Sequence, residues 1–209
     1  MTKCFVCNSS STETILDLGK SPVANNLELD KTKSQKSKKY ALNLILCKSK
    51  CTHVQIGKIV DQKEIFNDYY YMPSISKTLT DHLQSIPKDI NQRFKIKKDS
   101  FIVDIGSNDG TFLESASHYS KKILGIDPAK NLSDLANKKG IKTINNFFSS
   151  DLSKAIKNDY GYADFIVSTN TFAHTPEVND FVKGLNELIS DEGVIIIEIH
   201  YLGLSLIHI

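Results

Sequence analysis

The stretch Ile102-Val-Asp-Ile-Gly-Ser-Asn-Asp-Gly110 constrains this chain more than any other. An apolar run ends in an acid, breaks into a turn bracketed by glycines, and passes directly into the helix-like segment Thr111–Ser117. A buried strand, a tight turn and a helix start in that order leave backbone N–H groups and a helix N-terminus facing a ligand. The spacing is Asp104-x-Gly106-x-Asn108-x-Gly110, with Asn108 where such turns often carry another glycine. Asn tolerates a left-handed backbone, so the turn can still close. A glycine turn alone also serves simply to join a strand to a helix. Here a second acid adds weight. Ile123-Leu-Gly-Ile-Asp127 reads as the next parallel strand, and Asp127 lies 21 residues after Gly106. At that offset, an acid at a strand's carboxyl end can accept the hydroxyls of an adenosyl ribose. The pair points to an adenosine-containing cofactor held by Asp104, Gly106, Ser107, Asn108, Gly110 and Asp127.

The pattern on either side supports a sheet of that kind. From Ser100 onward strands and helices alternate. Strands are predicted at Phe101–Ile105, Lys122–Ile126, Lys142–Asn145, Asp164–Ser168 and Gly193–Ile199, the last apolar on both faces apart from Glu198. Helices are predicted near Thr111–Ser117, Asn131–Lys139, Ser150–Asn158 and Asn179–Ile189. Repeated βα units imply a doubly wound α/β sheet, with ligands beyond the carboxyl ends of its strands. Asn170-Thr-Phe-Ala-His174 falls at such an end, together with Asp104–Gly110 and Asp127. Between residues 61 and 99 the chain is polar with helical spacing. Ile65, Phe66 and Tyr69 share one face, then Leu79, Leu83 and Ile86, until Pro87 is expected to interrupt.

The first 60 residues carry short strand-like runs (Glu13–Leu18, Tyr40–Leu46, His53–Ile59) and four cysteines in two pairs. Cys4-x2-Cys7 and Cys47-x3-Cys51 are separated by 39 residues. Paired short spacings suit a tetrahedral Zn2+ site closed by four thiolates, whose role is to fold the module rather than to catalyse. The alternative is four unrelated small hydrophobes, with His53 a bystander beside them.

Charge excludes other classes. The net charge is +2, and Arg93 is the one arginine among 26 basic residues, which argues against nucleic-acid readout. No apolar stretch approaches the roughly 20 residues needed to cross a bilayer. Met-Thr-Lys-Cys at the start has no signal-peptide core, so a cytoplasmic location is expected.

Beyond these patterns, the chain resembles the zinc-containing, S-adenosylmethionine-dependent C-methyltransferases of nucleotide-linked keto-deoxysugars. The resemblance rests on the cysteine pairs, Leu16-Asp-Leu-Gly19 with Pro22-Val-Ala-Asn25, His53-Val-Gln55, and Tyr69-Tyr-Tyr71 with Ser74 and Ser76. It continues in Val103–Thr111, Asn170–His174 and Val194–Tyr201. It implies a Rossmann-like class I methyltransferase sheet behind a Cys4 zinc-binding domain. Its implied domains are a zinc module over 1–60, a helical linker over 61–99 and a cofactor domain over 100–203. It also implies S-adenosylmethionine over the Gly106–Asn108 turn, with Asn170 on its far side. Tyr71 and His174, and less directly Tyr69, would orient a nucleotide-linked sugar or move its proton. The plain alternatives are tyrosines that only pack, and a His174 that only caps the turn before Pro176. A cofactor-free Rossmann-like scaffold bearing a zinc-ribbon interaction module is the competing functional class. A nicotinamide enzyme would want the complete Gly-x-Gly-x-x-Gly turn that Gly106–Gly110 lacks.

The end of the chain departs from the resemblance. Family members continue well past Ile209, through a Tyr-His-Glu-His-type segment expected to hold the main catalytic base. Residues 204–209, Leu-Ser-Leu-Ile-His-Ile, look like a translated sequencing adapter. On that expectation the sheet is incomplete, one apolar edge is unpaired, and the piece expressed alone aggregates or needs a partner for that edge.

Overall fold

The structure is a computed structural model, and it describes residues 2–24, 28–66 and 69–201. Asn25 of the Pro-Val-Ala-Asn motif and the adapter-like residues 204–209 lie outside the described residues. The chain divides into two compact units, Met1–Tyr70 with Pro176–Asn179, and Tyr71–Thr175 with Asp180–Ile209.

The first unit is built on a three-stranded antiparallel sheet in the order β1-β2-β3: β1 (Thr12–Pro22), β2 (Lys39–Cys47) and β3 (Val54–Ile56). Leu16 faces Leu44, and Leu44 faces Ile56 across the other edge of β2. Two irregularities bend β1, the second between Asp17 and Lys20, where Gly19 takes a left-handed φ of 76°. Few side chains of this unit are buried. Ile45 is one, with Cys4 and Cys47 beside it. A core this thin cannot stabilise a module of about 60 residues by apolar burial alone, so a cross-link is needed. Helices α1 (Lys31–Gln35), capped by the Asp30 carboxylate on Lys33 N, and α2 (Gln62–Phe66) bury no side chain.

The second unit holds a five-stranded, all-parallel sheet in the order β6-β5-β4-β7-β8. Its strands are β4 (Phe101–Ile105), β5 (Lys122–Asp127), β6 (Thr143–Asn145), β7 (Ala163–Thr169) and β8 (Ile189–Glu198). Five helices accompany them: α3 (Lys77–Phe94), α4 (Thr111–Ala116), α5 (Lys130–Lys138), α6 (Ser150–Tyr160) and α7 (Val178–Leu188). Strand β4 is central and wholly buried, and its alternation divides the core. Phe101, Val103 and Ile105 pack with Ile156, Phe181, Leu185 and Leu188 on the α6–α7 side. Ile102 packs with Leu83, Ile90, Phe112, Leu113 and Ala136 on the α3–α5 side. The chain winds outward from β4 through β5 to β6, then returns to β7 and β8. The reversal of order therefore lies beside the carboxyl end of β4, where open α/β sheets bind ligands. This is the doubly wound α/β sheet expected from the alternation of elements, with the Rossmann-like order that the resemblance implies. No helix among the described residues is long and apolar enough to cross a membrane.

Two local expectations need correction. Pro87 does not end a helix; α3 runs through it to Phe94. Proline removes the donor for the Leu83 carbonyl, yet Leu83, Pro87 and Ile90 form one buried stripe at helical spacing. Packing on that stripe outweighs the lost hydrogen bond. The last strand also differs. Strand β8 starts at Ile189, with a register shift between its pairings to Ala163 and Phe165. Among the described residues it stands at the sheet edge, with Ile195 39% and Ile197 40% exposed, so it is not buried on both faces there.

Gly125, opposite Asp104 in the β4–β5 pairing, leaves no room for a side chain. A Cβ there would lie 2.5 Å from Ser107 Oγ and 2.7 Å from Thr143 Oγ1. Gly125→Ala is expected to destabilise the fold by about 1–3 kcal/mol through overpacking. Urea denaturation followed by circular dichroism measures it; an unmoved midpoint would show that both hydroxyls swing aside freely.

Candidate functional site

The turn leaving β4 is shaped by three left-handed residues: Gly106 (φ 78°), Asn108 (φ 51°) and Gly110 (φ 82°). Asn108 thus adopts the backbone expected of it. Gly106 N and Ser107 N both donate to the Ile126 carbonyl at 2.7 and 3.1 Å, which ties the turn to the end of β5. Gly110 N closes the turn on Ser107 O and begins α4. At Gly106 a Cβ would fall 1.9 Å from Thr171 Oγ1, so only glycine lets the loop after β7 approach this closely.

Asp127 ends β5 and bonds directly to the turn. Its Oδ2 accepts from Asn108 N at 2.8 Å and its Oδ1 from Ala129 N at 2.8 Å. Burial nevertheless pushes its pKa up, against those two N–H groups. Asp104 is 2% exposed and its Oδ1 has no hydrogen-bond partner. Burial, reinforced by the Asp127 charge, raises the Asp104 pKa to about 8. Ser107 Oγ is likewise buried without a partner. Asp109 Oδ2 and Ser168 Oγ are also buried without a hydrogen bond, and orphaned polar atoms grouped about a Gly-lined turn suit a polar ligand. The residues present therefore fit a polar cofactor.

The other sequence candidates divide. Asn108 Nδ2 donates to the Tyr71 carbonyl at 2.9 Å, which brings Tyr71 to the turn, its side chain half exposed. Asn170 follows β7 with a left-handed φ of 55°; its N donates to Glu198 O at 2.7 Å and its Nδ2 to Glu198 Oε1 at 3.2 Å. His174 closes a single 3-10 turn, Phe172–His174, with its N on Thr171 O. Desolvation by the surrounding chain, and after it the electrostatic effect of the nearby His200 imidazole, lowers the His174 pKa. Tyr69 belongs to the first unit, where its ring meets Phe66 at 5.3 Å.

Sequence reasoning missed Asp109, which is fully buried. Burial opposes its charge, but hydrogen bonds from Ser74 and Thr111 and the Lys139 ammonium, 3.7 Å away, hold its pKa below the usual value. An acid directly after Asn108 was the available signal for Asp109.

In the first unit the sulfurs of Cys4, Cys7, Cys47 and Cys51 all lie within 4.8 Å of one another. Cys4–Cys51 and Cys7–Cys47 are each 3.6 Å apart, and Cys7–Cys51 3.3 Å. Four thiolates about 2.3 Å from a tetrahedral ion stand about 3.8 Å from each other, so the set fits Zn2+. A disulfide would need about 2.05 Å. The extra residue of the second pair makes room for Ser49, whose Oγ lies 2.9 Å from Cys47 Sγ and 3.2 Å from Cys7 Sγ. That hydroxyl, with the Ser9 backbone and Cys51, holds the Cys7 thiol down at about 6. His53 is outside the set; its carbonyl accepts from Cys47 N.

A family model of a proposed zinc binding domain matches residues 4–66, and a methyltransferase domain model matches residues 79–205. The C-methyltransferase NovU of Streptomyces niveus is 25% identical over 200 residues, covering 96% of this chain. The chain spans 47% of that relative's length. Among solved structures, a SAM-dependent methyltransferase of Anabaena variabilis ATCC 29413 aligns over 54% of this chain and 49% of its own, at 19% identity and TM-score 0.47. The plantazolicin methyltransferase BamL, solved with a triazolic desmethylPZN analog and SAH, aligns over 59% of this chain and 47% of its own, at 21% identity and TM-score 0.47.

Two outcomes are expected. Ser49→Ala should weaken zinc binding about tenfold in chelator competition, because hydrogen bonds to metal ligands carry that much; equal affinity would make Ser49 a spacer only. Asp104→Asn should flatten the pH dependence of thermal stability. A carboxyl raised from 3.8 to about 8 keeps its proton in the folded state, so its contribution is lost as pH rises through that window. The neutral amide removes the loss, and an unchanged pH profile would contradict it.

Proposed function

We propose, since the chain belongs to the methyltransferase domain family, that it carries the cofactor-binding part of an S-adenosylmethionine-dependent C-methyltransferase whose substrate is a nucleotide-linked keto-deoxysugar. The NovU relative is itself a C-methyltransferase, and the four-cysteine module precedes the sheet here. What carries the reading is the Asp127 carboxylate, anchored through Asn108 N to the glycine turn at the carboxyl end of the sheet.

In this reading S-adenosylmethionine, when bound, supplies an electrophilic methyl group. Gly106, Ser107, Asn108 and Gly110 hold it through the turn. Each Asp127 oxygen accepts one backbone N–H and keeps a lone pair for a ribose hydroxyl. The unpartnered atoms Asp104 Oδ1 and Ser107 Oγ are available to its polar groups, and Asn170 bounds it on the β7 side. A sugar carbon beside a ketone is acidic enough to lose a proton to a positioned base, and the resulting enolate carbon is the nucleophile. His174 has a lowered pKa and is therefore neutral near pH 7, the state that can accept or relay that proton. Tyr71, and less directly Tyr69, are assigned to orienting the sugar. Holding carbon and methyl in line and stabilising the enolate charge are the protein's contributions.

Titration calorimetry with S-adenosylhomocysteine tests the reading. Saturable binding is expected, weakened at least about tenfold by Asp127→Ala, as for loss of hydrogen bonds to a charged group. No heat with the intact protein would favour a cofactor-free scaffold, and unchanged affinity in the variant would remove Asp127 from the site.

A further inference from the structure

One hydrogen-bonded chain at the ligand end of the sheet is not used by the reaction scheme. His82 Nε2, on α3, lies 2.6 Å from Glu198 Oε2. The other carboxylate oxygen, Oε1, accepts from Asn170 Nδ2 at 3.2 Å, and the Glu198 carbonyl accepts from Asn170 N at 2.7 Å. One residue thus engages both donors of Asn170. Asn170 has a left-handed φ of 55°, which Asn adopts readily, and these two bonds fix where its turn lies. The next residue, Thr171, places Oγ1 against the bare Cα of Gly106, 1.9 Å from where a Cβ would be. The position of the Asn170–Thr171 turn therefore sets the clearance above the Gly106 turn.

We propose that Glu198, oriented by His82, is a positioning residue that fixes the Asn170–Thr171 turn against Gly106 and so sets the affinity of the cofactor site. The inference rests on the reading that Asn170 bounds the cofactor. Glu198 touches neither cofactor nor substrate in this scheme; it acts through Asn170. A carboxylate bridging an imidazole and an amide gains orientation at both oxygens, and an oriented network holds a turn better than a single contact. The competing account is that His82 and Glu198 only join α3 to the edge strand, in which case their loss lowers stability without selecting on ligand.

The test measures S-adenosylhomocysteine affinity by calorimetry and thermal midpoint by circular dichroism on the full chain. Glu198→Ala should weaken binding about tenfold, while Glu198→Gln restores it to within about threefold, since its amide oxygen can still accept from Asn170. His82→Ala should weaken binding in the same direction, by about threefold or more. Asn170→Ala separates the two readings. If Asn170→Ala weakens binding and Glu198→Ala does not, the positioning role is overturned while the site stands. If Asn170→Ala binds as the intact protein does, Asn170 is not at the cofactor and both fall. Should Glu198→Ala fail to fold, His82→Ala decides: wild-type affinity overturns the proposal, and weakened binding at an unmoved midpoint supports it.

Discussion

The bond from Asn108 N to the Asp127 carboxylate is the contact on which the site depends. It joins the turn leaving one strand to the acid ending the next, across the central pair of a fully parallel sheet. Its cost is visible. A carboxylate at 6% exposure has lost most of its water, and only two backbone N–H groups replace it. Asp104, one strand away and more deeply buried, has less compensation and is pushed to about 8. A fold selected for stability alone would not keep two acids side by side in its core. Perturbed carboxyls at a sheet's carboxyl end are the pattern that ligand sites commonly show.

A different constraint governs the first unit. Its sheet exposes Ile15, Leu18, Leu42 and Ile56, so the strands do not close an apolar core of ordinary size. What the unit has instead is four sulfurs at the spacing a tetrahedral ion requires. Ion binding supplies folding free energy that side-chain burial here cannot. The bend of β1 at Gly19 and the wide second cysteine pair are tolerable for the same reason. Coordination by Cys47 and Cys51 needs the sulfurs to converge, not the intervening backbone to be regular, and Ser49 uses the extra space to reach Cys47 and Cys7.

Most of the parallel sheet was legible because its information is local. Period and punctuation located β4 to β7 and the helices between them to within a residue or two, and Asn108 could be recognised as a left-handed turn residue from its neighbours. Failures came where distant partners decide. Pro87 reads as a helix stop, and only the buried stripe it shares with Leu83 and Ile90 explains why α3 continues. Ile195 and Ile197 read as core from their apolar run alone, but burial of a strand depends on what lies beside it, and β8 is the edge among the described residues. Glu198 breaks an apolar run and looked like an exception; its hydrogen-bond partners His82 and Asn170 lie 116 and 28 residues away in sequence.

Asn108 shows how much one position can carry. Its left-handed φ shapes the turn, its N–H anchors Asp127, its Oδ1 accepts from Asp109 N at 2.8 Å, and its Nδ2 holds the Tyr71 carbonyl. Glycine would satisfy the first two requirements and none of the others. The glycine more usual in nucleotide-binding turns is therefore replaced here by the residue that keeps the backbone freedom and adds two side-chain hydrogen bonds. One of those bonds reaches Tyr71, so the turn assigned to the cofactor and the segment assigned to the sugar are fixed by the same amide. Binding energy collected at one of these two places can then be expressed as order at the other, which is what positioning catalysis requires.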